Sequence, residues 1–186
     1  MPADFIRSGI EAILPPAWPD RALWICAVRQ SDGRRVVVGR DAFPDVASAV
    51  TASCAIPGIF RPEVIDGAPF VDGGAHSPTN ADLLAGAGLD LVIVSSPMSL
   101  AGRGLRLALD QPARRWAAAL LAGEAAALRR RRTHVMAFQP PGEDLAIMGP
   151  NAMDRSRRAA VARQARLSTL RRLARADTRQ RLARLY

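Results

Sequence analysis

Asp72-Gly73-Gly74 is the stretch of this sequence with the clearest chemical potential. An apolar run, Phe70-Val71, ends there in a carboxylate followed at once by two glycines. Two glycines remove side-chain bulk after Asp72 and open backbone angles closed to other residues. The tripeptide by itself fits a plain turn, like Asp32-Gly33 and Asp66-Gly67 elsewhere in the chain. It also fits a carboxylate set where another reacting group must come close. The flanking elements decide between these readings.

Before Asp72, Pro44-Asp45-Val46 predicts a helix start, since proline and an acid both suit the first turn. Val46, Ala49, Val50 and Ser53 keep helical spacing, and Pro57-Gly58 stops the run. Val64-Ile65 and Pro69-Phe70-Val71 predict two short strands about the Asp66-Gly67 turn. After Asp72, Ser77 as N-cap and Pro78 at the first helical position open another helix, which ends at Gly88.

With these neighbours the stretch resembles the patatin-like phospholipases, a family of lipid acyl hydrolases. Ser53, Ala55, Pro57 and Phe60 form a Ser-x-Ala-x-Pro-x-x-Phe segment like the helix and turn before the family's Asp-Gly-Gly motif. Asp72-Gly73-Gly74 matches that motif, with Gly73 and Gly74 as its backbone positions. Asn80 and Leu83-Leu84 resemble the helix that follows, and Leu91 to Val94 the next sheet strand. The resemblance is densest from residue 45 to 100 and extends through Asp144-Leu145-Ala146-Ile147-Met148 toward Met153.

The resemblance implies a serine–aspartate dyad. In such enzymes a serine on a strand-to-helix elbow attacks an ester carbonyl, and the aspartate takes its proton without an intervening histidine. Asp72 matches that proton acceptor. Backbone donors of a glycine-rich loop meet the oxyanion. The family's order is that loop, then Gly-x-Ser-x-Gly, then Asp-Gly-Gly. This sequence contains no Gly-x-Ser-x-Gly and no glycine-rich loop before Asp72. Ser8, Ser31, Ser48 and Ser53 precede Asp72, and none has the strand–elbow–helix setting. The chain therefore reads as the later portion of such a domain, supplying the aspartate of a dyad whose nucleophile it lacks. It is expected to be inactive alone. A non-catalytic remnant, binding lipid or a partner protein through a basic tail, is the alternative.

No other residues compete strongly. His76 lies four positions after Asp72 and reads as a loop residue, and His134 beside Arg129–Arg132 as structural. Cys26 and Cys54 give neither a disulfide framework nor metal-ligand spacing. No metal site and no cofactor are expected.

The elements that would position Asp72 make an α/β pattern. Ile6 to Leu14 predicts a helix ended by Pro15-Pro16. Ala22 to Val28 and Arg35 to Val38 predict a hairpin about Ser31-Asp32-Gly33. Leu89 to Val94 is a β-branched run expected to be buried on both faces, as in a parallel sheet. A loop with Gly102 and Gly104, a helix from Arg114 to Arg131, a strand from Thr133 to Phe138 and a loop over 139–150 follow. Helix is expected from Met153 to Leu185, broken near Asp177.

The expected fold is a layered, patatin-like α/β arrangement with a mostly parallel sheet flanked by helices, missing its N-terminal part. Residues 1–150 would form a partial acyl hydrolase domain, and residues 151–186 a basic amphipathic helical segment. Absent central strands would leave an open sheet edge prone to aggregation.

The 186 residues carry a net charge of +9, and all 26 basic residues are arginine. Residues 151–186 hold 11 arginines and two acids, so the whole excess lies there. Leu167, Leu170, Leu173 and Ala174 form an apolar stripe with Arg163, Arg166, Arg171, Arg172 and Arg175 around it. Three uses stand open: ordinary packing on the domain, contact of 155–186 with an anionic membrane, and nucleic-acid binding. The last is disfavoured because few aromatics interleave for base stacking. The first residues lack a basic stretch leading into a long apolar run, so a cytoplasmic, membrane-peripheral protein acting on lipid esters is expected.

Overall fold

A computed structural model describes residues 4–15, 17–42, 44–101, 111–151 and 154–183. Pro16, the loop about Gly102 and Gly104, Met153 and Leu185 lie outside the described residues. The chain is mixed α/β and divides by its contacts into two units, residues 1–80 and residues 81–186.

The first unit holds α1 (Asp4–Glu11), β1 (Ile25–Arg29), β2 (Arg35–Val38), α2 (Val46–Ser53), β3 (Glu63–Ile65) and β4 (Ala68–Asp72). Its sheet runs β2-β1-β4-β3, and every pairing in it is antiparallel. This differs from the expected mostly parallel sheet. Two tight hairpins set β1 against β2 and β3 against β4 in opposite directions, and the two hairpins then join through β1 and β4, again antiparallel. Between β1 and β2, the Asp32 carboxylate accepts from the Arg34 N–H and the Arg29 side chain, and Gly33 sits at φ 69°. Between β3 and β4, Asp66 and Gly67 both have positive φ, 50° and 77°, the signature of a two-residue turn whose twist matches its strands.

Helix α2 begins where Pro44-Asp45-Val46 predicts. Asp45 is its N-cap, and its carboxylate accepts from the Ser48 N–H at 2.8 Å. Most of its buried residues are small, among them Ala47, Ser48, Ala49 and Ala52, so it can lie close on β1. They form the core of this unit with Ala27, Val37 and Val38. Arg7 of α1 ties three elements together by donating to Ser48 of α2 and to Glu63 of β3. The Phe5 and Phe60 rings, with centroids 5.7 Å apart, close the same side.

The second unit begins with a 3₁₀ turn over Ala81–Gly86, followed by β5 (Leu91–Ser95), α3 (Gln111–Arg130) and β6 (His134–Phe138). Strands β5 and β6 pair in parallel, with Val92 opposite Val135 and Val94 opposite Ala137. They and α3 make a strand–helix–strand crossover. Ala81, Val92, Val94, Leu121 and Leu128 form its core. Then come α4 (Gly142–Met148), α5 (Arg158–Leu173) and α6 (Ala176–Ala183).

Three expectations are corrected here, and the outward side of the α5 stripe, left open by the sequence, comes into view. The helix predicted from Ser77 to Gly88 is a 3₁₀ turn, because Asn80 takes a left-handed φ of 48° and interrupts it. Strand β5 alternates rather than being buried on both faces, with Val92 and Val94 inward and Ile93 62% exposed. The loop expected over 139–150 contains α4, whose Glu143 and Asp144 lie in the first turn, favoured there by the helix dipole. The stripe of α5 turns outward: Leu167 and Leu170 are exposed, while Gln164 and Ser168 bond Asp144 and Arg171 bonds Glu143.

Candidate functional site

Asp72 is the last residue of β4 and the N-cap of the short 3₁₀ turn Gly73–Ala75. Two backbone links fix it. Ala27 of β1 stands opposite Asp72 in the sheet, and the Asp72 N–H donates to the Ala55 carbonyl at the exit of α2, 3.0 Å away. The exit of the Ser-x-Ala-x-Pro helix and the Asp-Gly-Gly stretch therefore come together, although 17 positions separate Ala55 from Asp72 in the chain.

The two glycines act differently. Gly73 is buried against β1: a Cβ there would stand 2.2 Å from the Cys26 carbonyl oxygen. Gly74 turns its N–H back onto Asp72 Oδ1 at 2.6 Å. That bond holds one carboxylate oxygen. The other carboxylate oxygen has no hydrogen-bond donor among the described residues.

Asn80 braces the exit from this turn. Its side chain donates to the Ser77 carbonyl at 2.5 Å and accepts from Arg35 of β2 at 3.0 Å. The Ser77 hydroxyl accepts from the N–H groups of Thr79 and Asn80, each at 3.3 Å. Asn80 stood out in the sequence only as part of the following helix. Nothing in the sequence pairs it with Arg35, 45 positions earlier, because only the strand register brings the two together.

Asp72 is half-buried, and burial pushes its carboxyl above the usual carboxylate range, while the Gly74 N–H pulls the other way. The Cys54 thiol, at the C-cap of α2, is raised by desolvation and then by the Asp72 charge. Cys54 is thus kept protonated near Asp72, the opposite of what a thiolate nucleophile needs. The sign for stability follows from proton binding. The folded chain holds the Asp72 proton more tightly than the unfolded chain. Stability contributed by protonated Asp72 is therefore lost as pH rises from the ordinary carboxylate pKa through the raised one. Asp72→Asn keeps an oxygen for the Gly74 N–H and removes the titration. Urea midpoints compared between pH 4 and 7 are expected to show the variant gaining on the parent as pH rises. A constant difference would contradict a raised Asp72.

The other sequence-marked residues lie elsewhere. The Ser48 hydroxyl is taken by Asp45 and Arg7. Ser31 sits exposed in the first hairpin turn, and Ser53 ends α2. No described serine donates to the Asp72 carboxylate. His76 is exposed beyond the turn. His134 opens β6 in the second unit. Among the described residues, no group of three His, Cys, Asp or Glu could hold a metal ion.

A sequence profile of the patatin-like phospholipase family matches residues 4–85. The matched stretch includes α2, both hairpins, Asp72-Gly73-Gly74 and Asn80. It starts earlier and ends earlier than the densest part of the resemblance in the sequence. No individual curated protein matches the chain.

Proposed function

We propose that this stretch of patatin-like phospholipase domain supplies the proton acceptor of a lipid acyl hydrolase. Asp72 takes the proton of a serine hydroxyl as that serine attacks an ester carbonyl, then returns it to the leaving alcohol. A second cycle with water releases the fatty acid. The observation that carries this reading is the state of Asp72. It is half-buried, one oxygen is held by the Gly74 N–H, and the other has no donor among the described residues. A carboxylate raised toward neutral pH is a better base than an ordinary aspartate. Gly74 keeps side-chain bulk away from the carboxylate, and Gly73 lets the turn lie close on β1. The nucleophile and the oxyanion donors come from a Gly-x-Ser-x-Gly elbow and a glycine-rich loop outside these 186 residues. Hydrolysis of a short-chain p-nitrophenyl ester, by the parent and by the Asp72→Asn variant, tests the assignment. No effect of the exchange in a domain holding the serine would leave the non-catalytic alternative.

The substrate is a lipid ester, and the outward face of α5 supplies a contact with the surface that holds it. Leu167 and Leu170 are 46% and 47% exposed, and Arg163 and Arg166 lie exposed beside them. Exposed leucines flanked by arginines suit the boundary of an anionic bilayer. No described helix is long and apolar enough to cross a membrane, so the contact is peripheral. The chain is expected to co-sediment with vesicles rich in anionic lipid, and Leu167→Glu with Leu170→Glu to weaken binding about tenfold or more. Half-molar salt should release it. Equal binding to neutral and anionic vesicles would refute this contact.

A further inference from the structure

The second unit contains a cavity of about 1040 Å³ that the aspartate chemistry does not use. It is bounded by β6, α4, α5 and α6. Its volume stands at the upper end for sites that take small molecules. Part of its lining is apolar: Phe138 of β6, Met148 of α4, Val161 of α5 and Leu182 of α6. Arginines also line it, and their partners divide them into two groups.

Arg171 and Arg172 are committed to the fold. Arg171 bonds the Glu143 carboxylate at 2.9 and 3.0 Å. Arg172 donates to the Ala137 carbonyl and stacks over the Phe138 ring at 4.9 Å. Arg129, Arg132 and Arg175 also line the cavity and make no ion pair among the described residues. The acids nearby do not balance them. Glu143 is spent on Arg171, and the Asp144 carboxylate accepts from Ser168 and Gln164 at 2.5 and 3.0 Å. Asp177 is the third acid in the lining, so the five arginines there exceed the acids by two. That excess of positive charge, over an apolar lining, favours a ligand with an anionic head and an apolar body.

We propose that this cavity binds a single-chain anionic amphiphile, its chain against Phe138, Met148, Val161 and Leu182 and its head at Arg129, Arg132 and Arg175. Carboxylate and phosphate heads share this chemistry, so a fatty acid and a monoalkyl phosphate both qualify. The site lies wholly in the second unit and does not rest on the role of Asp72.

Isothermal titration of the full chain tests it, using laurate and dodecyl phosphate below their micelle concentrations. One molecule of at least one of them is expected to bind per chain, and the head that binds more tightly identifies the source. Neither inorganic phosphate nor neutral dodecyl maltoside at the same concentration should compete. Arg129→Gln with Arg175→Gln is expected to raise Kd at least tenfold while the melting temperature stays within about two degrees. Should the double variant misfold, Arg129→Gln alone is expected to raise Kd at least threefold. Leu167→Glu with Leu170→Glu, on the outward face of α5, should leave Kd unchanged and so separate this site from the membrane contact. The proposal is overturned if neither amphiphile binds, if several bind per chain, or if dodecyl maltoside binds equally well. Full competition by inorganic phosphate would reduce it to an anion site, and unchanged affinity in the arginine variant would also overturn it.

Discussion

Gly73→Ala is expected to be strongly destabilising. The added Cβ would stand 2.2 Å from the Cys26 carbonyl oxygen, 2.7 Å from its carbon and 2.9 Å from the Cys26 Cβ. Two of these three atoms are backbone, so no side-chain rotation relieves the clash. The backbones cannot part easily either. Ala27, next to Cys26, pairs with Asp72, next to Gly73, and Cys26 also pairs with Val37 on its other side. Moving Cys26 would disturb the register of three strands. Overpacking with backbone displacement costs about 3 kcal/mol or more, a large share of the roughly 5–15 kcal/mol that holds a typical domain. Gly74→Ala is the instructive contrast. There the nearest atom is the Asp72 Oδ1 at 2.9 Å, the end of a side chain that can rotate away. The expected cost is smaller, about 1 kcal/mol, but it falls on the carboxylate proposed as the proton acceptor. Urea unfolding of the two variants checks both figures. A Gly73→Ala midpoint equal to the parent's would refute the packing argument.

The elements around Asp72 were legible because each carries its own local signal. Asp66-Gly67 announces a hairpin, and the positive φ of both residues is what that dipeptide tolerates best. Asp45 announces a helix start and caps α2 in fact. The family resemblance was legible for the same reason, since Ser53, Ala55, Pro57, Phe60 and Asp72-Gly73-Gly74 punctuate turns at fixed spacing. What the sequence hid are the features that depend on partners. The antiparallel sheet arises from which hairpin lies beside which, a choice that strand composition does not encode. Asn80 reads as a helical residue until its side chain is seen between Arg35 and the Ser77 carbonyl, which holds it in a left-handed turn. Helix α4 lies among prolines and glycines that signal a loop, and it is secured by Ser168, Gln164 and Arg171 of α5. Helix α5 reverses the usual rule. Its polar residues Gln164, Ser168 and Arg171 bond α4, while Leu167 and Leu170 of the hydrophobic stripe stay exposed.

The site itself was half legible. The type of residue at position 72 and its two glycines can be read directly. Its burial, the bond from Gly74 and the proximity of Cys54 cannot, because they depend on the sheet and on the exit of α2. These features decide whether a carboxylate is an inert turn residue or a base. A turn aspartate such as Asp32 is exposed, and the Arg34 N–H holds its carboxyl below the usual range. Asp72 is shifted the other way by burial. Two Asp-Gly turns in one chain thus carry carboxylates tuned in opposite directions.

Asp72 is proposed to accept a proton from a serine supplied outside these residues. In a domain completed by its Gly-x-Ser-x-Gly elbow, losing the acceptor removes both the proton transfer and the orientation of the serine. The expected loss is about 10³- to 10⁴-fold in kcat, with KM changed less than about threefold, since the carboxylate acts on the serine and not on substrate binding. The 186 residues alone are expected to hydrolyse p-nitrophenyl butyrate no faster than their Asp72→Asn form. The most direct measurement is therefore kcat for p-nitrophenyl butyrate in the completed domain, compared between the parent and its Asp72→Asn variant. A fall of at least about 10³-fold is expected; an Asp72→Asn domain that retains kcat within about threefold of the parent would contradict proton transfer to Asp72.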